Sequence, residues 1–151
     1  MSVKVIGADR VIKRLQKLGE EYPREFIARA THDLHERAVK KASPHTKTGR
    51  MEQNIAMRAN GLTGEVYVEN DGMETEAGVN YAVFVHFGTR PHDIRPKNKK
   101  ALRWVGHGDV FRFAKSVRHP GYRGDPFMYD AADETEKIFD QIAKDVIDEL
   151  K

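Results

Sequence analysis

Seven histidines, 23 acidic side chains and 26 lysines and arginines in 151 residues supply material for acid–base, metal or phosphate chemistry. There is no cysteine. That removes disulfides, thiolate nucleophiles and Cys-ligated zinc, and it fits folding in a reducing compartment. His32 and His35 stand three apart on a predicted helix, a spacing that brings two imidazoles toward one face. No third ligand is placed beside them, and the His-Glu-x-x-His pattern of zinc hydrolases is absent. His86, His92, His107 and His119 fall near loops and can converge only through the fold. No Gly-x-Ser-x-Gly elbow frames Ser43 or Ser116, and the carboxylates fall on helices, where a solvated face accounts for them. The expectation is a chain with no catalytic residue, no metal and no cofactor. A hydrolase built on clustered histidines ranks last among the readings.

Phosphate chemistry has a better footing. Arg90, Arg95, Lys97, Lys99, Lys100 and Arg103 form a basic run that leads into Trp104, and cations beside an aromatic ring can hold phosphates and stack on a base. Lys47 and Arg50 add a second basic pair, without the glycine spacing of a phosphate-binding loop. A nucleic-acid-binding module using residues 90–103 is therefore the alternative reading. Against it stands a formal net charge of only +3 for the whole chain, despite a pI near 9.1. The plainer expectation is an exposed loop whose strand end buries Trp104, with binding to nucleic acid weak or incidental.

The elements that must position these residues follow from periodicity. Residues 8–42 read as helix in two pieces. Val11, Leu15 and Leu18 recur at helical spacing after Asp9 as N-cap, Gly19 ends the piece, and Pro23 suits the first turn of the next. Phe26, Ile27, Ala30, Leu34 and Ala38 then make an apolar stripe. Arg24, Arg29, Arg37, Lys40 and Lys41 lie off it, on a face expected to be solvated. Residues 43–53, with Pro44 and Gly49, read as a loop. Two strands follow, residues 54–58 with Ile55 and Met57 inward and residues 65–69 with Val66 and Val68 inward, joined through Asn60-Gly61. The apolar stretch 80–88 fits strand and helix alike; a strand reaching Val79 and then one or two helical turns, capped by Asn80 and ended by Gly88, is the preferred reading.

Residues 89–100 read as a loop, because Pro91 and Pro96 remove ladder donors. Residues 101–105 and 110–117 form a predicted hairpin across Gly106–Asp109, with Phe111 and Phe113 on one face. Asp125-Pro126 opens a predicted terminal helix of about 25 residues, with Phe127, Ala131, Ile138, Phe139, Ile142, Val146 and Leu150 on one stripe that covers the sheet. The sum is an α+β fold: N-terminal helices, a short, mostly antiparallel sheet and a long C-terminal helix packed on it. It forms a single domain over 1–151, with loops at 43–53 and 89–100 expected to be mobile. The first residues hold no apolar run like a signal peptide, and no stretch approaches 18 apolar residues, so no membrane span is expected.

Four stretches carry a resemblance. They are Lys47-Thr48-Gly49-Arg50-Met51 before a strand; Tyr81 to Thr89, ending Phe87-Gly88-Thr89; Ile94 to Trp104; and His119-Pro120-Gly121 with Pro126-Phe127 and Ala131. In this order they span about two-thirds of the chain and resemble the small siphophage and prophage proteins known as head–tail joining, neck, tail-completion or tail-component proteins. His86 departs from that pattern, which tends to place an acid before Phe-Gly-Thr. The resemblance implies a structural subunit in the virion, assembled in the bacterial host cytoplasm. It also implies a ring, often sixfold, and partners among connector, head-completion and tail-tube proteins. It implies no catalysis and no cofactor. Ring closure needs two different patches per subunit; Lys47, Arg50, Arg90, Arg95, Lys97, Lys99 and Lys100, in the two loops, are the candidate interface residues.

Overall fold

The computed structural model describes residues 1–4, 7–46, 48–75 and 78–149. Its spine is α2 (Glu21–Ala42), preceded by α1 (Asp9–Leu15) and a 3-10 turn at Gln16–Leu18. Gly19 ends that turn with φ 114°, in the region that favours glycine, and Pro23 lies in the first turn of α2. Asp9 begins α1 instead of capping it: Ala8 holds the cap position and no side chain caps the helix.

The stripe Phe26, Ile27, Ala30, Leu34 and Ala38 is buried throughout. Its two halves meet two apolar clusters, one toward each end of α2. Leu34 and Ala38 join Val66, Met51, Met73, Phe127 and Met128, while Phe26, Ile27 and Ala30 join Val11, Leu15, Phe139, Ile142 and Val146.

The sheet is antiparallel in the order β1-β3-β2, with β1 Ser2–Lys4, β2 Ile55–Asn60 and β3 Thr63–Val68. Gly61, at φ 60°, turns the hairpin. Ile55, Val66 and Val68 point inward as expected, whereas Met57 is exposed: it lies on the edge strand β2, opposite the buried Val66 of the central strand. Gly64 marks where β3 lies on α2: a Cβ there would stand 1.8 Å from Thr31 Oγ1. That approach admits no side chain.

Residues 43–53 hold more structure than a loop. A 3-10 turn at Ser43–His45 and a one-turn helix α3 (Arg50–Gln53) bring Met51 into the core, which ties the segment down. No strand reaches Val79; an isolated bridge joins Glu74 and Asn80, whose side chain accepts from Ala82 N–H at 2.9 Å and opens α4 (Ala82–Phe87). The predicted terminal helix is two, α5 (Phe127–Glu136) and α6 (Phe139–Glu149). The turn between them lets Phe127, Met128 and Ala131 serve one cluster while Phe139, Ile142 and Val146 serve the other. Both helices pack on α2, and α5 also meets the sheet at β1. Leu150 lies outside the described residues.

The basic face of α2 is only partly solvated. Arg37 and Lys41 pair with Glu134 of α5, and Arg29 with Glu149 of α6. Thr135 donates to Asp33 at 2.8 Å, so a polar seam joins the helices beside the apolar one.

Candidate partner-docking arm

Between α4 and α5 the chain makes a nested two-stranded excursion over residues 88–124. Gly88–Thr89 (β4) pairs with Tyr122–Arg123 (β9), His92–Ile94 (β5) with Val117–His119 (β8), and Leu102–Val105 (β6) with Phe111–Ala114 (β7). The 89–100 loop thus contains a strand, and β5 fits between Pro91 and Pro96, each of which falls where no ladder donor is needed. The hairpin at 101–117 is present, though β7 and β8 divide its second strand.

Glycines permit the arm's root. Gly88 ends α4 at φ 77°, and a Cβ on Gly88, Gly121 or Gly124 would overlap the backbone of the opposing strand. Asp125 N–H donates to Val85 carbonyl at 2.9 Å, and His45 clamps the root from the body side. Its Nε2 lies 2.8 Å from Asp125 Oδ2, its Nδ1 3.3 Å from Tyr122 Oη. The consistent assignment has Nε2–H donating to the carboxylate and the phenol donating to Nδ1. A His–Asp pair can act as an acid–base dyad, but here both ring nitrogens are engaged and the neighbouring hydroxyl is a phenol. The pair ties the turn at Ser43–His45 to the arm. Beside it, Tyr81 at the start of α4 and Phe84 and Val85 within it line an open apolar groove of about 700 Å³ with His92, Ile94 and Tyr122.

β6 and β7 chiefly contact each other. Opposite pairs share a face, so Arg103, Val105, Phe111 and Phe113 lie on one side and Leu102, Trp104, Arg112 and Ala114 on the other. Val105, Phe111 and Phe113 are exposed, Phe113 at 66%, and Arg103 lies 4.6 Å over the Phe111 ring. Trp104 is 41% exposed rather than buried, because no core element backs its face of the ribbon. An exposed apolar cluster of this kind marks a contact surface.

Of the sequence-derived interface residues, Arg90, Arg95, Lys97, Lys99 and Lys100 all lie exposed in the arm. Arg50 stands apart on α3, where it donates to Gly72 carbonyl at 3.2 Å. Lys47 lies outside the described residues. His32 and His35 do not cooperate: His32 sits 3.9 Å from Glu36 while His35 Nε2 lies 2.9 Å from Ile55 carbonyl. Among the described residues no group of three or more His, Asp or Glu could hold a metal ion, and no helix is long and apolar enough to cross a membrane.

His86 went unrecognised as a core residue. It is 2% exposed, edge-on to Phe87, Phe127 and Tyr129, and neither ring nitrogen has a hydrogen-bond partner. Burial pushes its pKa below the usual imidazole value, against the opposing pull of Asp125 and Asp130. Above it lie Phe87, 60% exposed, and Tyr129, 50% exposed, with rings 6.3 Å apart. A run of apolar residues up to Phe-Gly-Thr was the sequence signal for this patch, though not for which of them stay outside.

An α+β body with a rooted, aromatic-tipped arm is the build of an assembly subunit. Residues 9–88, more than half of the chain, match the family model described as "Bacteriophage HK97-gp10, putative tail-component", and the chain belongs to this HK97-gp10-like family of phage tail components. The match runs from α1 through α2, α3, β2, β3 and α4 and ends at Gly88, the first residue of the arm, so that β1, α5 and α6 lie outside it. Neither curated proteins nor solved structures give a match.

Proposed function

We propose that the chain is a structural, non-enzymatic subunit that joins head to tail or completes the tail, built into a ring at the neck or tail end of a phage or prophage particle. The observation that carries this reading is the arm: 37 residues with aromatic side chains exposed on both faces at its tip, attached to a body whose core is complete without it. Exposed aromatics at a ribbon tip are useful against a partner, whether a neighbouring subunit of the ring or one of the connector, head-completion and tail-tube proteins that border it; tail-component membership supports partners of this kind. Arg90, Arg95, Lys97, Lys99 and Lys100 of the arm, with Lys47 and Arg50 of the body, are the interface residues. Segment 43–53, although anchored by Met51, and segment 89–100, although paired at β5, gain further order on assembly, so both acquire additional hydrogen-exchange protection when the free subunit enters a particle. The chain resides in the virion and assembles in the host cytoplasm.

The test is deletion of the gene from its phage or prophage, followed by electron microscopy of the particles. Filled heads and separate or aberrant tails are expected, with gold-labelled antibody marking the neck or tail end in the complemented strain. Normal infectious particles formed without the chain overturn the reading. The exposed Trp104 beside the basic run favours nucleic acid as a second reading. A binder using Arg95, Lys97, Lys99 and Lys100 shows a log–log salt slope of roughly −0.9 per phosphate contacted. Weak duplex binding that disappears near physiological salt is the outcome expected of an assembly subunit.

A further inference from the structure

The chain divides its charge. Residues 88–124 hold ten lysines and arginines against two aspartates, a formal +8, while the whole chain carries +3. Residues 127–149, which form α5 and α6, hold eight acids against two lysines, a formal −6. Within one copy Glu134 and Glu149 are already engaged by α2, but Asp130, Asp133 and Glu136 stand exposed with no ion pair among the described residues. Asp133 and Glu136 line a groove of about 320 Å³ between β1 and α5 that is bounded by Tyr129 of the Phe87–Tyr129 patch, and Asp130 follows Tyr129 on the same helix; Lys4 is the one cation among the groove's lining residues.

Patch and arm tip are complementary in kind. One is an aromatic pair with acids on the same helix as Tyr129; the other is Val105, Phe111 and Phe113 with Arg103 over the Phe111 ring, on a hairpin that the basic stretch 95–100 leads into. Phe87 adjoins the arm's root, while the Val105–Phe111 pair closes its far end. Both surfaces are exposed within one chain, so they can meet only between chains.

We propose that the arm of one copy docks on the Phe87–Tyr129 face of a second copy, aromatic tip on aromatic patch and Lys97, Lys99 and Lys100 against Asp130, Asp133 and Glu136. The contact is heterologous, each copy giving an arm and receiving one, which is the geometry that closes into a ring. It rests on the assembly reading by supplying the subunit–subunit interface that reading needs. Nucleic acid would satisfy the basic arm but not the aromatic patch and the acids of its helix, which is why a second copy is the favoured occupant.

Cysteine cross-linking of the full chain tests this on a background free of native thiols. Val110→Cys at the tip and Asp133→Cys on α5 both lie at exposed positions. The doubly substituted chain, oxidised mildly at low ionic strength, should give a ladder of disulfide-linked multimers. Mixing the two singly substituted chains should give mixed dimers as the main product. Lys97→Glu, Lys99→Glu and Lys100→Glu together should cut the ladder about tenfold, the signature of losing roughly 1.4 kcal/mol of association. Adding Asp130→Lys and Glu136→Lys should restore it.

Three results overturn the proposal. The first is tip cysteines that link no better to Asp133→Cys than to a control at Arg10→Cys on α1. The second is a ladder left intact by the triple reversal. The third is a short DNA duplex that binds the arm at physiological salt and abolishes the link, making nucleic acid the occupant. Because the ladder forms in solution, it is independent of gene deletion: a phage that assembles normally without the chain sinks the head–tail reading and leaves the interface standing.

Discussion

Replacing Phe139 by alanine tests the division of the core most directly. Phe139 is buried at the start of α6, edge-to-face with Phe26 of α2 at 5.5 Å between centroids and 73° between planes. It is the largest side chain that α6 gives to the second cluster. Truncation removes the ring's transfer free energy and leaves a cavity in a helix interface, a combination that costs about 3–5 kcal/mol. Roughly 0.5–1.5 kcal/mol of that belongs to the geometry of the ring pair. A chain of this size loses about 2–4 °C of melting temperature per kcal/mol, so the expected drop is roughly 6–20 °C. Lys137→Ala, at an exposed position in the turn before α6, should change stability by less than about 0.5 kcal/mol. Urea unfolding followed by circular dichroism should move the Phe139→Ala midpoint with little change in slope. A double-mutant cycle with Phe26→Ala should return a coupling near the ring-pair value. Equal effects of Phe139→Ala and Lys137→Ala would refute the assigned helix face, and zero coupling would refute the ring pair.

Other perturbations follow from buried and paired groups. His86 has a lowered folded pKa, so above its ordinary value of 6.5 both folded and unfolded states are neutral and it exacts no penalty. As pH falls through that value the unfolded chain binds a proton first, and wild type should lose stability that His86→Leu retains; parallel melting curves for the two between pH 7.5 and 5 would refute this. Gly64→Ala should destabilise by about 1–3 kcal/mol through overlap with Thr31, and Thr31→Ala in the same chain should recover part of it; a neutral Gly64→Ala would mean β3 and α2 sit further apart. Lys41 holds the Glu134 carboxyl below its ordinary value by hydrogen bonding, and Arg29 does the same for Glu149. Their stabilisation is therefore present above pH 4.5 and lost as pH falls through the folded values, and Glu134→Gln with Glu149→Gln should flatten the acid limb of a thermal-melt pH profile.

Elements with one strong periodicity were legible in the sequence. The α2 stripe, the Asn60-Gly61 hairpin and the turn at Gly106–Asp109 each follow from local chemistry that no distant contact overrides. What escaped reading depended on distant partners. Phe127 to Val146 has one unbroken helical stripe, yet two clusters at the two ends of α2 divide it, and nothing local announces the turn at Lys137-Ile138. Met57 and Trp104 sit at strand positions where period two points inward, but Met57 lies on an edge strand and Trp104 on a hairpin away from the core. Met51 looks like a lone apolar residue in a polar loop until Ala38 and Ala42 stand opposite it. At the candidate site the basic run was readable as charge. Its placement on a ribbon was hidden by two prolines that fall just outside β5, and the aromatic patch required α4 and α5 to be adjacent.

The glycine-lined root has a consequence for how such a part can be altered. The chain enters and leaves the arm at Gly88 and Gly124, whose opposing backbones touch. Seen from the body, an excursion of 37 residues occupies little more room than a tight turn. Anything grafted between those glycines inherits a closed anchoring point and disturbs neither cluster beside α2. The arm is in this sense a cassette: its length and tip can be rewritten while the scaffold's sequence stays fixed, so a change of assembly partner need not cost the body its fold.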